Sequence, residues 1–134
     1  MTPAKSSIRQ ERGRAARLSG RRGEAFAVLV LMLKGYRILG FRLTTPPGEI
    51  DLLAHKRSLA GDILAVVEVK RRRTVEEALE AVSFVQRERL RRAGAHVAAS
   101  RPALRNASIR LDLMALAPGR LPRHVPDAWP DLGR

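Results

Sequence analysis

Ile63-Leu64-Ala65-Val66-Val67-Glu68-Val69-Lys70 is a run of aliphatic and β-branched residues that closes on two opposite charges. Short and rich in β-branched and aliphatic residues, it reads as a strand. Side chains alternate along a strand, which puts Glu68 and Lys70 on one face next to each other. Two similar segments precede it, Tyr36 to Leu43 and Glu49 to Ala54, and the third begins at Asp62. Thr44-Thr45-Pro46-Pro47-Gly48 breaks the chain between the first two, and a loop around Ser58 to Gly61 separates the second pair. Short connections between consecutive strands predict an antiparallel meander.

Helices are expected on either side of this meander. From about Gly20 to Lys34 the residues favour helix and are apolar on nearly every side, with Gly35 as a stop, so this helix is expected to be largely buried. Thr74-Val75-Glu76-Glu77 has the form of a capping box. Val75, Ala78, Leu79, Val82, Val85, Leu90, Ala93 and Val97 then recur at helical spacing, predicting one helix to about Ala99. Ser108 to Leu116 reads as a fourth strand. Pro118, Pro122, Pro126 and Pro130 recur every four residues after it, so 117–134 reads as an irregular tail, pinned by Trp129. The order helix, three strands, helix, strand predicts an α/β fold with a central mixed sheet flanked by helices.

With 134 residues the chain has the size of one domain, and 26 Lys+Arg against 13 Asp+Glu give a formal net charge of +13. Such an excess points to a polyanionic partner, first of all nucleic acid. Residues 1–19 read as a flexible basic arm, with Lys5, Arg9, Arg12, Arg14 and Arg17 against Glu11. The absence of cysteine excludes disulfides, thiolate metal sites and a cysteine nucleophile. No segment reaches the roughly 20 apolar residues of a spanning helix, and the apolar run after the arm lacks a cleavage site for export. A cytoplasmic protein without a membrane partner is expected. His55, His96 and His124 lack zinc-ligand spacing, and neither a phosphate-binding glycine loop nor a serine elbow is present. An aromatic content of 4% argues against a base-stacking single-strand platform, and recognition of duplex shape and backbone is expected instead.

The chemistry-bearing candidates are acids inside strands. In the second strand Glu49 and Asp51 share a face while Ile50 and Leu52 point the other way; antiparallel pairing then brings Asp51 beside Glu68. Two adjacent carboxylates with a backbone carbonyl nearby suit Mg²⁺ or Mn²⁺, which polarises a phosphodiester and acidifies a bound water. Lys70 would hold that water or offset transition-state charge. The plainer alternative is a strand-end ion pair of Glu68 with Lys70 and an exposed Asp51. Arg71, Arg72 and Arg73 flank the proposed centre, and Arg87, Arg91 and Arg92 are expected on the solvent side of the second helix, both places where phosphates can lie.

Gly23-Glu24 opening an apolar helix, Gly35-Tyr36-Arg37-Ile38-Leu39, Gly48-Glu49-Ile50-Asp51-Leu52-Leu53, Val67-Glu68-Val69-Lys70 with Arg72, and Arg110-Leu111-Asp112-Leu113 resemble, in order and spacing, the bacterial YraN family. The resemblance covers about residues 20–116. That family looks like a small member of the PD-(D/E)xK endonuclease superfamily, relatives of Holliday-junction resolvases. The resemblance implies a restriction-endonuclease-like α-β-β-β-α-β core, with Glu24 as the first-helix acid, Asp51 and Glu68 as metal-binding acids and Lys70 as the catalytic lysine. Where the family usually carries a lysine in the second helix, this chain has Gln86, which with Arg89 lies on or beside the apolar face; Gln86 reads equally as a phosphate contact and as a satisfied core amide.

The expected function is a nuclease that hydrolyses DNA phosphodiesters with Mg²⁺ or Mn²⁺; the alternative is a nucleic-acid-binding or assembly module that keeps the fold without turnover. A basic RNA-associated protein is a third possibility. A symmetric homodimer would supply two centres for two strands, and the sequence leaves that open.

Overall fold

The computed structural model describes residues 23–130. The arm expected over 1–19 and the start of the first helix lie outside the described residues. Within them, α1 covers residues 23–33 and is followed by β1 (Arg37–Thr44), β2 (Glu49–Lys56) and β3 (Ile63–Arg71). Then come α2 (Val75–Glu80), α3 (Phe84–Ser100), a short 3-10 turn (Pro102–Leu104), β4 (Ser108–Leu116) and β5 (Arg123–Val125). The five strands form one sheet in the order β1-β2-β3-β4-β5. The meander β1-β2-β3 is antiparallel, and β4 joins β3 in parallel after the helical crossover, which makes the sheet mixed. This is the expected α/β architecture.

β3 is central, and Leu64, Ala65, Val66 and Val67 are fully buried. Ala65 and Val67 pack with Leu52, Ala54 and Met114 under Ala27 and Leu31 of α1. Leu64 and Val66 face the other way, with Leu53, Leu111 and Leu113, against Leu90, Ala93 and Val97 of α3. Gly94 lets α3 come down onto the sheet, because a Cβ there would stand 2.7 Å from Val66 Cγ2 and 3.1 Å from Ile109 Cγ2. Gly94→Ala adds helix propensity but must lift the helix from the central strand. The expected net result is a loss of about 1–3 kcal/mol in urea denaturation; a stabilised variant would show that α3 can shift freely.

Three expectations are corrected. The single helix from Thr74 to Ala99 is two helices, since Ser83 and Gln86 form a capping box of their own: Ser83 Oγ accepts from the Gln86 N–H, and Gln86 Oε1 accepts from the Ser83 N–H. Helix α1 is not buried all round. Ala27 and Leu31 are inside, whereas Phe26, Leu29, Met32 and Leu33 are exposed, because the helix covers only one face of the sheet. Nor is the tail irregular throughout, because β5 pairs antiparallel with β4. Pro122 and Pro126 flank that strand at the edge of the sheet, where a missing N–H costs no ladder bond.

Trp129 is buried, its indole N–H donates to the Leu79 carbonyl at 3.1 Å, and its own carbonyl accepts from Arg91. Arg91 is therefore engaged with the tail and half-buried, and Arg87 is likewise half-buried, its guanidinium against the Phe84 ring; of the three only Arg92 is exposed as expected. The tail is also held from below. Asp112 on β4 is fully buried and takes two hydrogen bonds from Arg110 at 2.8 Å, one from the Asp127 N–H at 3.0 Å and one from His124 Nε2 at 2.7 Å. Lys34 Nζ lies 3.0 Å from His124 Nδ1. A lysine has only hydrogens to offer, so Nδ1 accepts and Nε2–H points at Asp112.

Candidate active site

β2 and β3 pair from Lys56–Ile63 to Leu52–Val67, where the ladder stops. One step further the same register sets Asp51 opposite Glu68. There the strands part, and Asp51 Oδ2 accepts the Val69 N–H at 2.9 Å in place of a backbone partner. The side chain of Glu68 is 15% exposed. Its carboxyl is pushed up to about 7, first by burial and then by the charge of Asp51 and the hydrogen bond shared with it, against the pull of Lys70. Lys70 Nζ stands 3.5 Å from Glu68 Oε1.

The strands also turn over here. Ile50 packs with Leu53 on the α3 side and Leu52 on the α1 side, so the expectation that Ile50 and Leu52 share a face is corrected. The cause lies across the ladder. Arg42, between the pairs Phe41–Leu52 and Leu43–Ile50, has φ 46, a left-handed backbone rare for any residue with a side chain. It therefore stands on the same rung as Asp51. Its guanidinium lies 2.7 Å from Glu24 Oε1 of α1, and its affinity for its proton is raised first by Glu24 and further by Glu49 and Asp51. No local feature of the sequence marks Arg42, and it is absent from the expected site.

Two clefts meet at these residues. One, of about 360 Å³, is lined by Glu24, Arg42, Glu49, Asp51, Lys70, Arg71 and Arg72, among others. The second, of about 420 Å³, holds Glu68, Gln86 and Arg89, and Glu49 and Asp51 border both. Glu24, Asp51, Glu68, Lys70, Arg71, Arg72, Gln86 and Arg89 are thus brought around one locus. Arg73 is not, since it lines the next hollow along the surface. Gln86 is exposed and closes the N-terminus of α3, so it is not a core amide. Glu24 is committed to Arg42.

Asp51 and Glu68 are two hard oxygen donors whose mutual repulsion a cation would relieve, and that fits Mg²⁺ or Mn²⁺. Among the described residues no three or more His, Cys, Asp or Glu side chains converge as a metal cage. Any remaining ligands would be backbone oxygen, water or substrate.

The pattern of the family described as "Uncharacterised protein family UPF0102" matches residues 23–116. The chain belongs to the UPF0102 family. It is 63% identical over 133 residues to a "UPF0102 protein" of Caulobacter sp. (strain K31), covering 99% of this chain and 93% of that one. It is 64% identical over 124 residues to a "UPF0102 protein" of Caulobacter vibrioides (strain NA1000 / CB15N), covering 92% and 96%. A "UPF0102 protein amb4503" of Paramagnetospirillum magneticum (strain ATCC 700264 / AMB-1) is 44% identical over 119 residues, covering 86% and 89%. The YraN resemblance is thereby confirmed as membership of UPF0102. The matched UPF0102 segment contains every residue of the locus and ends with β4, ahead of β5 and Trp129. No helix among the described residues is long and apolar enough to cross a membrane.

Proposed function

We propose that this UPF0102 chain is a nuclease that hydrolyses DNA phosphodiesters with Mg²⁺ or Mn²⁺. The observation that carries this reading is the opening of β2 from β3 with Asp51 and Glu68 facing each other there and Lys70 beside Glu68. A divalent ion held by the two carboxylates would supply a polarised phosphodiester oxygen and a more acidic water. Asp51 keeps its place through the Val69 N–H, so its second oxygen is aimed without further cost in ordering. Lys70 delivers a positive charge next to Glu68, where it orients the attacking water or meets charge that builds on the phosphoryl oxygens. Arg71 and Arg72, on the wall of the cleft, suit the flanking phosphates, and Arg89 with Gln86 suit those on the α3 side. Glu24 acts through Arg42, holding that guanidinium over the cleft.

The test is cleavage of labelled linear, single-stranded, flapped and four-way DNA, with RNA controls, in Mg²⁺, Mn²⁺ and EDTA. Metal-dependent cutting by the parent that Lys70→Met lowers about a hundredfold or more, with the fold intact, supports the reading. Binding without cutting in any metal would overturn it in favour of a module that keeps the fold without turnover. Arg42→Gly is expected to be at least as heat-stable as the parent, because glycine adopts φ 46 without a Cβ clash. It should weaken DNA binding and reduce the salt slope by about 1. An unchanged slope would show that Arg42 serves Glu24 alone.

A further inference from the structure

Beyond the acid cleft lies a hollow of about 430 Å³ that shares Arg71, Arg72 and Leu116 with it, so the two are continuous. Its rim is cationic, with Arg71, Arg72 and Arg73 at the end of β3 and Arg120 from the tail. Gly119, at φ 69, turns the chain back there, and the Arg120 N–H returns to the Ala117 carbonyl at 3.2 Å. The floor is apolar, made by Phe26, Leu116, Pro118 and Pro122, and Phe26 is 51% exposed. None of the described lining residues is acidic.

Paired duplex presents phosphates outward and keeps its bases stacked on each other, so it has no use for an apolar floor under an arginine rim. An unpaired nucleotide has both an anionic phosphate and a flat apolar face, and the hollow has the volume of a small-ligand site. We infer that this hollow takes an unpaired nucleotide of the DNA, its base against Phe26 and its phosphate on Arg120 and the β3 arginines. The substrate class is then DNA with a single-stranded extension or flap next to the bond in the cleft. This rests on the nucleic-acid part of the proposed function and is independent of turnover. The low aromatic content, which points to duplex shape and backbone as the main contact, leaves room for one ring that takes one base beside the duplex.

Binding of the full chain is measured in EDTA, where no cutting occurs, to a blunt duplex and to the same duplex with a short single-stranded extension carrying 2-aminopurine. The extension is expected to tighten binding by about five- to tenfold, with a change in 2-aminopurine fluorescence. Phe26→Ala should abolish that preference and leave blunt-duplex affinity unchanged, while Phe26→Trp keeps it and Arg120→Ala lowers the preference along with the salt slope. Equal affinity for both duplexes, or equal weakening of both by Phe26→Ala, overturns the inference. So does Phe26-dependent capture by phosphatidylglycerol vesicles without preference for the extension. Preference for the extension in a chain that cuts nothing with Mg²⁺ or Mn²⁺ supports this inference and sinks the nuclease; cutting without the preference does the reverse.

Discussion

Asp112→Ala is expected to destabilise the fold by about 3–5 kcal/mol, the range found when one partner of a buried charged network is removed. The alanine leaves Arg110, His124 and the Asp127 N–H without their shared acceptor, and the Arg110 contact with the Tyr36 hydroxyl cannot replace it. For a domain whose whole stability is about 5–15 kcal/mol, the remaining margin is small. Thermal denaturation followed by circular dichroism should show a drop of roughly 10–20 °C. The tail should suffer with the core, because His124 is on β5 and Asp127 precedes Trp129, so proteolysis after Leu116 is expected to accelerate. A combined Asp112→Leu, Arg110→Met, His124→Leu variant should recover most of the loss, since no buried charge is then left unpaired. A single variant as stable as the parent would mean that the network is solvated and the tail is held by Trp129 alone.

The sign of the pH dependence follows from the same contacts. Burial by itself would push the Asp112 carboxyl up, but hydrogen bonds from Arg110, His124 and the Asp127 N–H outweigh it and hold the carboxyl below its ordinary 3.8. The unfolded chain therefore takes up the proton first as pH falls. The contribution of Asp112 is complete above about pH 5 and is lost as pH drops through the depressed folded value, so the gap between parent and Asp112→Ala should narrow only in acid.

The parts of this molecule that local chemistry dictates were legible in its sequence, and the parts that depend on distant partners were not. The run 63–70 reads as a strand from its β-branched and aliphatic residues, and antiparallel pairing with 49–54 allows Asp51 to stand beside Glu68, although the alternation behind that reading breaks between Ile50 and Leu52. Ser83-x-x-Gln86 is as plain a capping box as the one at Thr74, yet helical periodicity runs on through it and masks the break. The pairing of Asp112 with His124 has no periodic signature, since it joins two strands across the edge of the sheet. Arg42 was beyond reach for a different reason. Its left-handed backbone belongs to the β1–β2 ladder at the rung of Asp51, where β2 changes faces, and such a tertiary arrangement overrides local preference. Prolines in the tail suggested irregularity, and they do rule out a central strand, but three residues between two of them suffice for an edge.

Asp51→Asn is expected to abolish cleavage while making the protein more stable, and the second effect separates an active site from a strand-end ion pair. The amide oxygen still accepts the Val69 N–H, so the local fold is kept, but one of two facing carboxylates loses its charge. Metal-dependent cutting should fall about a thousandfold or more. In the parent, the folded state holds the Glu68 proton up to about pH 7 while the unfolded chain releases it near 4.5. Stability from this group is complete below 4.5, declines as pH rises toward 7 and then stays low, a loss on the order of 1–3 kcal/mol. Burial causes the largest part and remains in the variant; the share due to Asp51 is removed. Asp51→Asn should therefore exceed the parent by about 1 kcal/mol at pH 8 in EDTA, with the advantage fading toward pH 5, where Glu68 is protonated in both. Mn²⁺ should raise the parent's melting temperature more at pH 8 than at pH 6, because Glu68 must give up its proton to bind, and should leave the variant almost unmoved. A variant less stable than the parent at pH 8 would instead make Asp51 a favourable partner of Lys70, and the carboxylates would then be part of the scaffold.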